Sequence, residues 1–416
     1  MRERRTAALA VRALAPATGD RGIGRAALGP TLVADRHPLP SAAALPVSEP
    51  PAADANRLHA LTGLRIFAAL AVYFSHVGPP AAAPRFVSTA FNSGYYGVTF
   101  FFVLSGFVLA INYFDTIRRP TRRAVWSYGV ARFARVYPLY ILVLVYLLAR
   151  LSQSGAPLGS WPEHVLALQA WDPDLRVAYA YNGPAWTIGV EVFLYATFPL
   201  LVLVLARLDR GLRALMATVG VIVVVMVVIA VVFTITGLSD LPRDDPSSAH
   251  RWLYRTPLFR LGDFALGILA ARLFLRLRDG EHRLRLGSSL IAVALVATML
   301  FATRAALLYS AASWDVAYAL PAFALLLGLA LAPGNLVARF LSIPVIVLFG
   351  EASYAFYLVH VPMLTLLGKS GWATIVTPMT IAIQVFQLGI VLALAVGLHV
   401  LVEKPARSWL RRVLVS

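Results

Sequence analysis

The sequence predicts an all-α fold, a polytopic membrane helix bundle of about ten transmembrane helices, and three observations carry that reading. Of 416 residues, 59% are hydrophobic and only 14% are charged. Apolar runs of about 20 residues, the length that crosses a bilayer, recur along almost the whole chain. The segments between them alternate between cation-rich and cation-poor, the pattern left by retention of Lys and Arg on the cytoplasmic side.

The spans fall near residues 61–78, 95–113, 136–150, 184–206, 214–237, 256–276, 286–305, 314–332, 343–368 and 379–402. The third is short and ends at Arg150, whereas the ninth is long and carries Glu351, Pro362 and, at its edge, Lys369. An internal N-terminus assigns Arg118, Arg119, Arg122, Arg123, Arg132 and Arg135 to the inner loop after span two. The basic loops after spans four and six and the terminal EKPARSWLRR then also lie inside, so both termini are expected in the cytoplasm and the protein in the plasma membrane as a multi-pass chain. The outer loops carry most of the acids, Glu163, Asp172, Asp174, Asp240, Asp244 and Asp245 among them. The net charge of +17 therefore reads as topology and attraction to anionic lipids; membrane lipids are an expected partner and nucleic acid is not.

Residues 1–56 are rich in Ala, Pro and Arg and hold no apolar run long enough to cross, which predicts a disordered cytoplasmic tail ahead of a transmembrane domain over 57–412. Cys is absent, which excludes disulfides, thiolate metal sites and a cysteine nucleophile; no metal is expected.

Within the spans, ionisable side chains are costly and hence functional candidates. Arg65 and His76 lie eleven residues apart in the first span. At about 100° per residue both face one side of a helix, ~16 Å apart along its axis. A snorkelling Arg and an interfacial His fit the same spacing. Depth sorts the other polar residues into two layers. The outer layer holds His76, Glu191, Arg260, Asp263 and His360, which could share one cavity. Arg260 and Asp263, three apart, fit a structural ion pair equally well. Ser353, Tyr357 and His360 fall on one helix face, as a packing stripe or as a sugar-binding wall. The inner layer is cationic, with Arg65, the Arg132 and Arg135 pair, and the C-terminal basic run. Guanidinium groups clamp phosphate oxygens bidentately, although topology alone also collects arginines there.

Taken in order, LTGLRIFAALAVYFSH, GYYGVTFFFVLSGFVL, RFARVYP, AWTIGVEVFLY, SYAFYLVHVP and the terminal EKP resemble the membrane acyltransferase-3 family over roughly residues 58–412. The resemblance implies transfer of an acyl group, usually acetyl, from cytoplasmic acyl-CoA (acetyl-CoA) to a hydroxyl of a sugar-containing acceptor such as a surface glycan, a glycolipid or a macrolide sugar. Many members of that family carry a fused extracytoplasmic domain, and this sequence, which stops at Ser416, is expected to be of the stand-alone type. The family's Arg, ten residues, His pattern falls on Arg65 and His76, and its Arg-x-x-Arg on Arg132 and Arg135. Its WSxSxE-like element appears as WTIGVE, which keeps Glu191 but places Gly189 where a hydroxylated residue is common. The family gives the span-one His to the catalytic centre and the basic residues to the donor.

Elementary chemistry agrees. A sugar hydroxyl is a poor nucleophile at neutral pH, and a positioned base contributes typically about 10²- to 10⁴-fold. His76 fits that role, with Glu191 as the carboxylate that would orient its ring, and Arg260, Asp263, Tyr357 and His360 as acceptor contacts. An acyl-imidazole relay is the alternative, and Ser105 is a further candidate acyl carrier. A proton-coupled or sugar-lipid transporter would also use intramembrane His, Glu, Asp and Arg, and it predicts paired halves with broken helices.

Overall fold

The computed structural model describes residues 52–368 and 376–415, with no strand among them. Residues 1–51, most of the predicted tail, and Lys369 lie outside the described residues. Each of the ten predicted spans is helical. The principal helices are α1 (Ala52–Val77), α2 (Tyr96–Ile117), α3 (Arg122–Gln153), α4 (Trp186–Leu208), α5 (Leu212–Ile235) and α6 (Leu261–Leu277). They continue as α7 (Arg283–Thr303), α8 (Val316–Leu331), α9 (Pro344–Glu351), α10 (Ser353–Leu366), α11 (Pro378–Leu398) and α12 (Lys404–Val415). Among the described residues, eight helical stretches are long and apolar enough to cross a bilayer, or nine if α9 and α10, bent by 66° at Ala352, form one broken span.

The sixth predicted span is α6, which is not among these stretches: its 17 residues reach about 26 Å at 1.5 Å per residue, less than a hydrocarbon core of ~30 Å. It lies in the middle of the bundle, and every residue from Asp263 to Ala271 is buried. Two glycines let α2 lie against it at backbone distance. A Cβ on Gly267 would stand 1.9 Å from the carbonyl oxygen of Val103, and one on Gly106 would stand 2.1 Å from that of Phe264. Since lipid gives helices no hydrophobic reason to associate, such close approach supplies dispersion contact instead. Gly350 does the same for α9 against α1, its Cβ position lying 2.0 Å from the Thr62 carbonyl.

Helix α3 corrects one expectation. The basic RFARVYP segment reads as a loop before a short span, because Arg132, Arg135 and Pro138 interrupt the apolar run. The helix instead starts at Arg122, where the Thr121 side chain accepts from the Ala124 amide at 3.1 Å, and it continues through Pro138 for 32 residues. That is about 48 Å, so the arginines ride on the N-terminal half of a helix longer than a bilayer crossing needs. Arg132 and Arg135, three apart, are thereby fixed on one helix face.

Two further segments depart from simple spans. Helix α11 begins with a Thr377–Thr380 capping box and passes through a π turn, His399–Glu403, into α12. Trp126 Nε1 donates to the Leu414 carbonyl at 2.8 Å, tying α12 to α3. At the other end of the bundle, the segments 151–183 and 238–255 interlock. Arg251 donates to the Trp171 carbonyl at 2.9 Å, and Arg255 to the Asp172 and Pro173 carbonyls at 2.6 and 3.1 Å. Burial pushes the neighbouring His250 down to about 3, so the ring packs as a neutral group against Trp314.

Candidate active site

Five predicted site residues, Arg65, Arg132, Arg135, Glu191 and Tyr357, line one cavity of ≈ 110 Å³. Its walls come from α1, α2, α3, α4 and α10, and they carry three guanidinium groups but a single carboxylate. Helical periodicity explains the convergence. Thr187, Glu191 and Tyr195 recur every four residues along one face of α4, and Ser353 and Tyr357 along one face of α10. The inner and outer layers expected from sequence are therefore one site at this point, because α4 and α10 run past the arginines of α1 and α3.

Each charged group in the wall has a distinct environment. The Tyr195 hydroxyl donates to Glu191 Oε1, and Glu191 is the foremost carboxylate in the field of Arg65. Arg132 lies over the rings of Tyr113 and Tyr195, with Cζ 5.3 and 5.8 Å from their centroids. Arg135 forms an ion pair with Glu403 and lies 5.7 Å over Tyr354. The Nε atoms of Arg65 and Arg132 are buried with no hydrogen-bond acceptor among the described residues. A buried donor left without an acceptor costs ~1–3 kcal/mol, so a wall with two of them suits an anionic ligand.

His76 does not line this cavity; it stands exposed in the last turn of α1, with its ring against that of buried His360 at 5.0 Å between centroids. Hydrogen bonds assign the tautomers. A carbonyl oxygen only accepts, so His76 Nδ1, 2.8 Å from the Val72 carbonyl, carries a proton, as does His360 Nδ1, 2.7 Å from the Tyr357 carbonyl. His360 Nε2 lies 3.4 Å from His76 Nδ1, and with Nδ1 protonated the basic nitrogen of a neutral His76 ring is Nε2. Tyr357 joins this pair to the cavity: it belongs to the cavity wall, and its ring lies 5.6 Å from that of His360, one helical turn further out.

The remaining assignments separate. The ring beside His76 is that of His360, whereas Glu191 sits among the arginines, so the expected carboxylate orientation of the His76 ring is replaced by an imidazole. Arg260 and Asp263 are fully buried and form no part of the cavity wall. The guanidinium donates to Asp263 Oδ2 at 2.7 Å, to the Tyr254 carbonyl at 2.8 Å and to the Trp314 carbonyl at 2.7 Å. Its donors are turned to protein groups, which makes the pair a joint between α6 and the segments that carry Tyr254 and Trp314. Two participants escaped the sequence reading. Tyr195 was legible as the residue four beyond Glu191; Glu403 was hidden because EKP reads as part of a basic run.

A bundle in which eight or nine of the described helices are long and apolar enough to cross a bilayer, with an arginine-bearing cavity between helices, is that of a multi-pass membrane protein. A family model described as an acyltransferase domain matches residues 58–400, and the chain belongs to the acyltransferase-3 family of membrane acyltransferases. Among characterised proteins, the chain is similar to Acyltransferase MdmB from Streptomyces mycarofaciens, at 29% identity over 380 residues that cover 86% of this chain and 93% of that protein. It is also similar to Protein 2 in the picA locus of Rhizobium radiobacter, at 39% identity over 94 residues, 23% of this chain and 46% of that protein. No solved structure matches the chain.

Proposed function

We propose that the protein is an O-acyltransferase of the plasma membrane that moves an acyl group, acetyl in the first instance, from cytoplasmic acyl-CoA to a hydroxyl of a sugar-containing acceptor. The acceptor classes are a surface glycan, a glycolipid or a macrolide sugar, and both termini face the cytoplasm. The observation that carries this reading is the convergence of Arg65, Arg132 and Arg135 on a cavity whose wall residue Tyr357 touches the ring of His360, which in turn packs on His76. The arginines hold the donor's phosphates, and the thioester on its flexible arm extends past Glu191 and Tyr357 toward His76. His76 Nε2 takes the proton from the acceptor hydroxyl as that oxygen attacks the thioester carbonyl; the C–S bond breaks and the CoA sulfur leaves with the proton. The Val72 carbonyl accepts from His76 Nδ1 and, with the ring of His360 packed beside it, keeps Nε2 turned to the acceptor. Tyr357 forms the passage between donor and acceptor sides.

The test is reconstitution in proteoliposomes with acyl-CoA on one face and a glycan or macrolide acceptor on the other. Acceptor-dependent release of free CoA thiol is expected when acyl-CoA is on the arginine side only. Equal turnover from either face ends the two-sided scheme. One observation favours a second reading, a proton-coupled or sugar-lipid transporter: the break between α9 and α10 resembles the interrupted helices of transporters. Acceptor flux without thiol release would decide for it.

The donor assignment makes a kinetic prediction. Arg132→Ala combined with Arg135→Ala raises the apparent KM for acyl-CoA while kcat stays near its original value. Charge-assisted hydrogen bonds contribute ~1.5–3 kcal/mol each, so a rise of about tenfold or more follows. A double variant with unchanged saturation curves returns these arginines to a purely topological role.

A further inference from the structure

Arg135 belongs to an ion-pair chain that extends behind the cavity wall. Its partner Glu403 is only 2% exposed and lies in the π turn between α11 and α12. His399, at the other end of that turn and equally buried, donates from Nδ1 to Glu403 Oε2 at 2.9 Å. Its Nε2 is 3.5 Å from Glu351 Oε2, and Lys404 Nζ donates to the same Glu351 oxygen at 2.9 Å. Glu351 closes α9 at the bend, immediately before α10, which supplies Ser353, Tyr354 and Tyr357 to the cavity. The chain thus runs from a cavity arginine on α3 to the C-terminal turn, where the His399 ring ends it beside Glu351.

We propose that Glu403 is a positioning residue that holds the Arg135 guanidinium in the orientation the anionic donor needs. This rests on the reading of Arg135 as a ligand of donor phosphates. Three observations support it. A free Arg side chain carries about 2 kcal/mol of rotamer entropy, which a ligand must otherwise overcome. Glu403 on one side and the Tyr354 ring on the other remove that freedom before binding. Arg135 also lies in the like-charge fields of Arg65 and Arg407, which Glu191 in the cavity wall and Glu403 behind it oppose. Because the ion pair occupies one edge of a guanidinium with five donors, the other edge stays available to a phosphate. The π turn is the backbone device: a single wide turn at a helix junction brings His399 and Glu403 together in the buried layer.

The experiment uses the full chain in nanodiscs and reads acceptor-dependent thiol release against acyl-CoA concentration. It compares Glu403→Gln, Glu403→Ala, Arg135→Ala and the Arg135→Ala, Glu403→Ala double variant. Glu403→Ala is expected to raise the apparent KM for acyl-CoA by about tenfold with kcat within about threefold. Glu403→Gln keeps the hydrogen bond from His399 but not the charge, and its KM lies between the two. In the Arg135→Ala background, Glu403→Ala adds no further rise, the non-additivity that marks one acting through the other. If Arg135→Ala raises KM but Glu403→Gln and Glu403→Ala do not, the positioning role is overturned while donor binding by Arg135 stands. If Glu403→Ala adds its full effect without Arg135, or lowers kcat alone, the role is again overturned. Should Glu403→Ala not fold, Glu403→Gln alone decides by the same KM and kcat comparison. If Arg135→Ala itself leaves KM unchanged, the donor reading fails first and the inference falls with it.

Discussion

His76→Ala is expected to abolish acyl transfer and leave the protein folded in the membrane. The ring stands exposed at the end of α1 and packs against the edge of His360, so its removal opens no internal cavity. Chemistry loses far more. With no base at hydrogen-bond reach of the acceptor hydroxyl, kcat falls by about 10²- to 10⁴-fold, with little change in the saturation curve for acyl-CoA because the arginines are untouched. His76→Asn sharpens the test: its side-chain amide keeps a donor for the Val72 carbonyl but has no basic nitrogen, and it loses as much activity as His76→Ala. Acceptor-dependent thiol release and a gel-filtration profile measured on the same preparations separate rate from fold. Activity within about tenfold of the parent in either variant would falsify the base role.

The second large effect concerns Arg260. Breaking a buried ion pair by removing one member costs ~3–5 kcal/mol, because the remaining charge has no partner. Arg260→Ala strands the Asp263 carboxylate at 0% exposure and leaves the Tyr254 and Trp314 carbonyls without their donors. Loss of monodisperse protein after extraction is expected. Replacing both members by apolar residues of similar size is neutral or favourable in comparable pairs, so Arg260→Met with Asp263→Leu restores the folded fraction. It also restores transfer, since neither side chain borders the cavity. A double variant that folds well but has lost its response to acceptor concentration would return the pair to acceptor binding, the role its outer-layer depth suggests.

Much of the fold is legible in the sequence because the bilayer imposes a single rule: every crossing segment needs a continuous apolar helix. The ten helical segments follow from hydropathy. Errors concentrate where another principle competes. The N-terminal half of α3 carries Arg132 and Arg135 and so reads as loop, yet Thr121 caps a helix there and a helical backbone satisfies itself whatever side chains it bears. The break at Ala352 is invisible because the apolar run passes straight through it. At the site, Arg65, Arg132, Arg135 and Glu191 stand out as charges within or beside apolar spans. Their depth along each helix was readable, and their azimuth was not.

What the amino-acid order determined by itself is the class of protein: a chain of apolar helices in which a few ionisable side chains, each expensive in hydrocarbon, are placed at fixed heights. What the tertiary structure decided is which of them meet. Helix rotation and close crossings at residues such as Gly267 and Gly350 turn Glu191 toward the arginines, give His76 an imidazole neighbour, and seal Arg260 with Asp263. The physical reason is that hydropathy fixes position along the membrane normal, whereas contacts across the bundle depend on side-chain shape and hydrogen bonding between segments far apart in the chain.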